Sequence, residues 1–316
     1  MRGFCLNENG NEKRLSGLSL VIPAYNEESA IGDVVSGACN ILPLCACLWE
    51  VIVVSDCSTD ATATVAATAG GRVIEHPLNK GYGNALKTGI SNARYDTVAI
   101  IDADCSYKLE DILLLIRYAE DFDMVVGERS GMHFSGGTFK KAGRWLQRFL
   151  VEFTTGTKIP DVNSGLRIFP REAALGFFDT LCGGFSFTTS ITLAMLMCGY
   201  TIKFVPVTYI DRIGKSHVNY FRDTLRSMQI ITHAILKYNP IKAFLPISFL
   251  LIVLLFIAVP LALIAAFFNF PLTALWLAIT GTLSLMTSLL IFALGLVATA
   301  VFVAHPAAGM DNRHKS

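Results

Sequence analysis

Val98-Ala99-Ile100-Ile101-Asp102-Ala103-Asp104 carries four apolar residues straight into two acids separated by one small residue. A run of that kind reads as a buried strand whose end opens into a polar site. Period-two spacing places Asp102 and Asp104 on one side of the strand end. Two carboxylates so placed repel each other, and a divalent cation relieves the repulsion. Mg2+ or Mn2+ held there would bridge diphosphate oxygens and neutralise charge on a departing nucleotide. Two solvated acids in a loop are the plain alternative, so the neighbouring segments matter.

Upstream, the same strand-to-turn pattern occurs twice. Val21-Ile22-Pro23-Ala24-Tyr25-Asn26-Glu27-Glu28 ends a strand in a polar turn that opens a helix. Val51-Ile52-Val53-Val54-Ser55-Asp56 does so again, with Cys57-Ser58-Thr59-Asp60 following. Ligands of open α/β sheets bind at the carboxyl ends of strands, which is where these turns lie. Asp56 is placed to accept a hydrogen bond from the imide N–H of a uracil or from a guanine edge, while Asp60 suits a helix cap. Between this turn and the acid pair, Asn79-Lys80-Gly81-Tyr82-Gly83-Asn84 sets two glycines before a helix, so that backbone and Lys80 can approach a phosphate or a ribose closely.

The strands expected are Leu18–Ile22, Glu50–Ser55, Thr97–Asp102 and Asp123–Gly127, alternating with helices at Glu28–Leu42, Asp60–Ala69, Gly83–Ala93 and Leu109–Asp121. That alternation predicts an α/β fold with a parallel or mostly parallel sheet covered by helices. Further along, Asp161-Val162-Asn163-Ser164-Gly165-Leu166-Arg167 and Arg212-Ile213-Gly214-Lys215-Ser216-His217 add acids and cations. Lys140, Lys141, Arg144 and Arg148 form a basic helical stretch beside Trp145, Leu146 and Phe149, fit either for a solvated face or for a lipid phosphate.

The last quarter of the chain is different. No Lys, Arg, Asp or Glu occurs from Ala243 to Met310. A bilayer core takes about 20 helical residues, so this stretch is long enough for two spans, expected at about 244–268 and 273–304 and divided at Asn269-Phe270-Pro271. Residues 217–242 read as an amphipathic basic juxtamembrane helix, with Arg222, Arg226 and Lys237 among apolar neighbours. Lys237 and Lys242 precede the hairpin while Arg313 and Lys315 follow it, which puts both ends on the cytosolic side. Met1–Gly17 is polar and lacks the apolar core of a signal peptide, so the domain after it is expected in the cytosol. The domain plan is then a polar segment at 1–17, a catalytic domain at 18–216, the juxtamembrane helix at 217–242 and the hairpin with a short tail at 243–316. A net charge of +1 gives no global field for nucleic acid. The eight cysteines include no CxxC pair and read as small buried thiols in a reducing compartment.

In this order and spacing, the motifs resemble family 2 glycosyltransferases with the GT-A fold, a Rossmann-like mixed sheet with flanking helices. More narrowly, residues 18 to 217 and the trailing hairpin resemble the dolichyl- and polyprenyl-phosphate glycosyltransferases in their bacterial two-helix form. The resemblance implies an inverting enzyme that moves a hexosyl group from a UDP- or GDP-sugar, with Mg2+ or Mn2+, to a polyprenyl phosphate at the cytosolic face of a prokaryotic inner or plasma membrane, with homo-oligomers possible. It implies nucleotide contacts from Pro23, Ala24, Tyr25, Glu27, Asp56, Lys80 and Gly81. Asp102, Ala103 and Asp104 would be the DxD motif, with Asp104 the main metal ligand. Arg129, Lys141 and Arg144 would face the acceptor phosphate. Asp161, Ser164 and Arg167 would line the reaction centre, and Arg212, Lys215 and Ser216 would lie on a loop that closes over the donor. Ser55, Ser106, Thr188 and His217 stand where the family often has Asp, Gln, Glu and Lys. Another acceptor (a lipid, glycan or protein) and an inactive membrane scaffold are the competing readings.

Overall fold

A computed structural model of the chain describes residues 15–45, 47–130, 148–210, 228–236 and 239–304. Contacts divide the chain into two units, Met1–Ile231 and Thr232–Ser316.

The first unit is built on β1 (Gly17–Ala24), all eight residues of which are buried. A strand covered on both faces needs a near-continuous apolar run rather than alternation, and Leu18–Ala24 supplies one. The helix α1 (Ile31–Ile41) buries Ile31, Val34, Val35 and Ala38, the i, i+3, i+4, i+7 stripe of an amphipathic helix. Then come β2 (Leu48–Ser55), α2 (Thr62–Thr68), β3 (Arg72–Glu75), α3 (Tyr82–Ser91), β4 (Thr97–Ile100), α4 (Glu110–Ile116) and β5 (Met124–Ser130). A helical stretch at 148–155 (α5) precedes β6 (Arg167–Pro170), α6 (Arg171–Gly176), α7 (Phe187–Met197) and β7 (Ile202–Thr208). Helix α3 lies so close to β1 that a Cβ on Gly89 would fall 2.3 Å from Val21 Cγ1.

Among the described residues the sheet has seven strands in the order β3-β2-β1-β4-β6-β5-β7. It is mixed: β1 pairs parallel to β2 and β4, whereas β6 runs antiparallel between β4 and β5. The four strands read from the sequence are present with shifted ends, and β4 stops at Ile100 rather than Asp102. Three strands escape that reading, two because they lie at the sheet edges and one because it is short. β3 begins and ends on a charge, β6 spans only Arg167–Pro170, and β7 carries Pro206. Proline and terminal charges are tolerated at sheet edges, where β3 and β7 lie, so neither has the long apolar run of a central strand.

The second unit holds a helical stretch at 228–236 (α8), of which residues 232–236 fall in it, and two long helices, α9 (Ile241–Phe267) and α10 (Pro271–Ala304). Both long helices are long and apolar enough to cross a membrane, and little of either is buried. Asn269, at φ +58°, turns the chain between them. The two helices are joined by polar contacts inside an otherwise apolar pair. Ser248 and Ser288 bring their hydroxyls within 2.8 Å, and each donates to the other's carbonyl, at 2.9 Å from Ser248 and 3.0 Å from Ser288. Ser284 donates to the Leu251 carbonyl. Where lipid surrounds a helix pair, small residues and hydroxyl bonds supply the association that hydrophobicity cannot. The double variant Ser248→Ala, Ser288→Ala should loosen the hairpin by about 1 kcal/mol, read as a lower midpoint in denaturing detergent; an unchanged midpoint would show that the serines do not hold it.

Candidate active site

The strand register assembles the site. Ala24 is level with Ser55, and Val21 with Ile100, so the chain leaves β1, β2 and β4 at one edge of the sheet. Because β6 is antiparallel and pairs Arg167 with Ile100, the segment 161–166 enters the sheet at that same edge. Val126 also pairs with Arg167, and β5 runs parallel to β7, which brings Arg129 and Tyr209 there too.

On the β1–β2 side the two turns are bolted together. The Glu27 amide donates to Thr62 Oγ1 at 2.8 Å, and Asn26 Oδ1 accepts from the Thr59 amide at 2.8 Å. Asp60 precedes α2 by two residues; one oxygen takes the Thr62 amide at 3.0 Å and the other the Glu28 amide at 3.3 Å. Ser55 donates to Ser58 Oγ at 3.0 Å, so it serves the turn. Pro23 and Ala24 are buried at the strand end, while Tyr25 and Glu27 are half-buried beyond it.

Asp56 is only 3 % exposed. Its Oδ1 is 2.6 Å from His76 Nδ1 and accepts from the Lys80 amide at 2.9 Å, and its Oδ2 accepts from the Gly81 amide at 2.7 Å. The carboxylate therefore holds the Lys80–Gly81 turn, in which Gly81 has φ +92°. The second glycine has a packing role: a Cβ on Gly83 would fall 2.3 Å from the Cys182 carbonyl oxygen. The pair expected to admit a phosphate thus seats the 182–184 turn, and the exposed Lys80 side chain is the part left to face a ligand.

Asp102 and Asp104 lie beyond the end of β4, so loop geometry rather than strand period places them. Asp102 Oδ1 accepts from the Tyr82 hydroxyl at 2.8 Å. A Cβ on Gly165 would lie 2.1 Å from Asp102 Oδ2, so any larger residue there would push the Asp102 carboxylate from its place. Burial and the Asp102 charge push the Tyr82 hydroxyl pKa up, which keeps it a donor. Ala103 is buried, Asp104 is half-buried, and the Ser106 amide donates to Asp104 Oδ1 at 3.1 Å. Ser106 itself is 1 % exposed, and its Oγ has no hydrogen-bond partner among the described residues. No group of three or more His, Cys, Asp or Glu able to hold a metal occurs among the described residues. Two hard oxygen ligands beside an unsatisfied buried hydroxyl fit Mg2+ or Mn2+, which keep several waters and share a substrate's phosphates.

The third cluster is an ion pair. Arg129 grips Asp161 with Nε to Oδ2 at 2.6 Å and Nη2 to Oδ1 at 2.8 Å, and its guanidinium lies 5.3 Å from the Tyr209 ring. Burial works to raise the Asp161 pKa, but the hydrogen bonds and charge of Arg129 hold it below its ordinary value. Arg167 is fully buried and donates to the carbonyls of Ser164 and Val162 and to Thr192 Oγ1. Burial lowers its pKa to about 10, with Asp161 opposing the fall. Ser164 is buried too, 3.1 Å from the Tyr107 hydroxyl, which accepts the Gly165 amide at 2.8 Å. Ser164 and Arg167 are therefore enclosed, and their hydrogen bonds brace the 162–165 segment. Lys141, Arg144, Arg212, Lys215 and Ser216 lie outside the described residues, as does His217. His76, Tyr82, Tyr107 and Gly165 were not singled out from the sequence; the only signal was a His and two Tyr near otherwise polar turns.

Replacing Asp161 by Asn removes the bidentate carboxylate from a largely buried guanidinium. The cost expected is about 3–5 kcal/mol, measured by melting of the detergent-solubilised chain; a loss under 1 kcal/mol would show that Arg129 finds another partner. Because the folded pKa of Asp161 is depressed, the pair's stabilisation is complete above the ordinary carboxylate pKa and is lost as pH falls through the folded value. Asp161→Asn should therefore flatten the acid limb of the stability curve.

A family model described as Glycosyl transferase family 2 matches residues 19–176. The chain is 30 % identical over 239 residues to the low-salt glycan biosynthesis hexosyltransferase Agl6 of Haloferax volcanii, an alignment that covers 72 % of this chain and 57 % of that protein. It is 31 % identical over 213 residues to the dolichyl-phosphate hexose transferase of the same organism, covering 66 % of this chain and 90 % of the relative. Among solved structures, glucosyl-3-phosphoglycerate synthase from Mycobacterium tuberculosis, in complex with Mn2+, UDP-glucose and phosphoglyceric acid, superposes with a TM-score of 0.56 at 20 % identity, covering 69 % of this chain and 79 % of that one. That likeness shows the GT-A fold. With half of its length matched by the family model, the chain belongs to glycosyl transferase family 2.

Proposed function

We propose that the chain transfers a hexosyl group, with inversion, from a nucleoside diphosphate sugar to the phosphate of a polyprenyl carrier at a membrane surface. The observation that carries this reading is a family 2 unit joined in one chain to two helices able to span a bilayer. A relative that acts on dolichyl phosphate supports the acceptor class. A cytosolic catalytic domain, spans in the inner or plasma membrane and the domain plan read from the sequence belong to the same proposal.

The acceptor phosphate oxygen is anionic near neutral pH. It attacks the anomeric carbon as the bond to the diphosphate breaks, so no general base has to take a proton from it. The protein's task is placement and charge stabilisation. The Tyr25–Glu27 turn and Asp56 would hold the nucleotide, with Lys80 over its phosphates or ribose. Asp104, with Asp102 behind it, would hold a divalent ion, Mg2+ or Mn2+, which when bound neutralises the leaving diphosphate. Asp161 stays anionic and fixes Arg129, whose remaining face, with Lys141 and Arg144, would meet the acceptor phosphate. Arg212, Lys215 and Ser216 would close over the donor.

Full-length protein in detergent, given polyprenyl phosphate, a panel of nucleotide sugars and Mn2+ or Mg2+, should release nucleotide only when lipid and metal are both present. Asp104→Asn should lower that release on the order of a hundredfold or more while the protein still inserts in membranes. Release without the lipid would move the acceptor elsewhere, and no release from any donor would favour a scaffold.

A further inference from the structure

The strand-end carboxylate of Asp56 has a definite number of places left for a ligand. A carboxylate offers about four lone-pair sites, two on each oxygen. Oδ1 carries two donors, His76 Nδ1 at 2.6 Å and the Lys80 amide at 2.9 Å. Oδ2 carries one, the Gly81 amide at 2.7 Å. The side chain is only 5 % exposed, so little of the carboxylate is open to a ligand. His76 is itself held in place. It is 6 % exposed, its amide donates to the Ser55 carbonyl at 2.9 Å, and its Nε2 is 2.9 Å from Thr88 Oγ1 on α3. An anionic Asp56 requires the proton on Nδ1, which leaves Nε2 to accept from Thr88 when the ring is neutral.

These occupancies discriminate between bases. Uracil presents one imide N–H, which one vacant site on Oδ2 can accept. Guanine presents N1–H and an amino N–H side by side, and a carboxylate that reads both must offer a site on each oxygen. Oδ1 has none. We infer that the donor nucleotide is a uridine nucleotide rather than a guanosine one, and that His76 decides it by occupying, with the Lys80 amide, both sites of Asp56 Oδ1. This rests on the reading of Asp56 as the base contact in the proposed donor site. His76 is a positioning residue: it touches Asp56 and not the base.

The test is calorimetric titration of full-length protein in detergent with UDP and GDP, in Mn2+. The wild type should bind UDP on the order of a hundredfold tighter than GDP, the scale that separates a satisfied polar site from a mismatched one. His76→Leu, which frees a site on Oδ1, should bring the two affinities to within about tenfold of each other. His76→Asn, which keeps a donor toward Asp56, should retain the preference. Should His76→Leu not fold, Thr88→Val takes its place: releasing the ring should lower the ratio, and an unchanged ratio overturns the role of His76. A wild type that prefers GDP, or binds both alike, overturns this inference alone. Binding of neither nucleotide overturns the donor reading and this inference with it.

Discussion

Carboxylates gather at one end of this sheet, Asp56 after β2, Asp102 after β4 and Asp161 before β6, and each is met by the chain around it. Burying an unpaired carboxylate is far costlier than burying any neutral side chain, so the partners of these acids are as strongly required as the acids. Asp56 is met by two backbone amides and a histidine, Asp102 by the Tyr82 hydroxyl and Asp161 by a two-pronged arginine. Each pairing crosses from one strand end to a different loop. The loops at the sheet edge are consequently tied to one another, and the site is assembled by its own charges.

That arrangement separates the acids by task. Asp56, Asp161 and, in part, Asp102 hold backbone or side chains in place. Asp104, half-buried like Asp102, takes a single amide at 3.1 Å and holds no side chain in place. Arg129 is committed to Asp161 through Nε and Nη2, and that fixes the plane of its guanidinium. An arginine held in this way has already lost its rotamer freedom, which would lower the entropic cost of ordering it against the phosphate proposed for it. The hairpin uses the same logic in an apolar setting, where Ser248 and Ser288 satisfy each other.

The fold was legible where burial forces pattern. Leu18–Ile22, Glu50–Ser55 and Thr97–Asp102 read as strands because their apolar runs suit strands covered on both faces, and the absence of charge from Ala243 to Met310 reads as membrane because lipid tolerates no unpaired charge. β3, β6 and β7 were not legible, since short or edge strands need no apolar run. The GxG motif was legible as a close approach but not as to what approaches: Gly83 makes room for the Cys182 carbonyl, 90-odd residues away along the chain.

The sequence by itself determined the α/β class, the order of the motifs, the acid pair after β4 and the two long apolar helices. These follow from local composition and period, which any short window displays. Only the tertiary structure decided that β6 reverses to bring Gly165 against Asp102 and Asp161 against Arg129, and that His76 closes on Asp56. Those outcomes depend on hydrogen bonds between residues 20 to 58 positions apart, such as His76 to Asp56 and the Gly165 amide to the Tyr107 hydroxyl. Pairings at that range are set by strand register and loop closure, which no local pattern encodes.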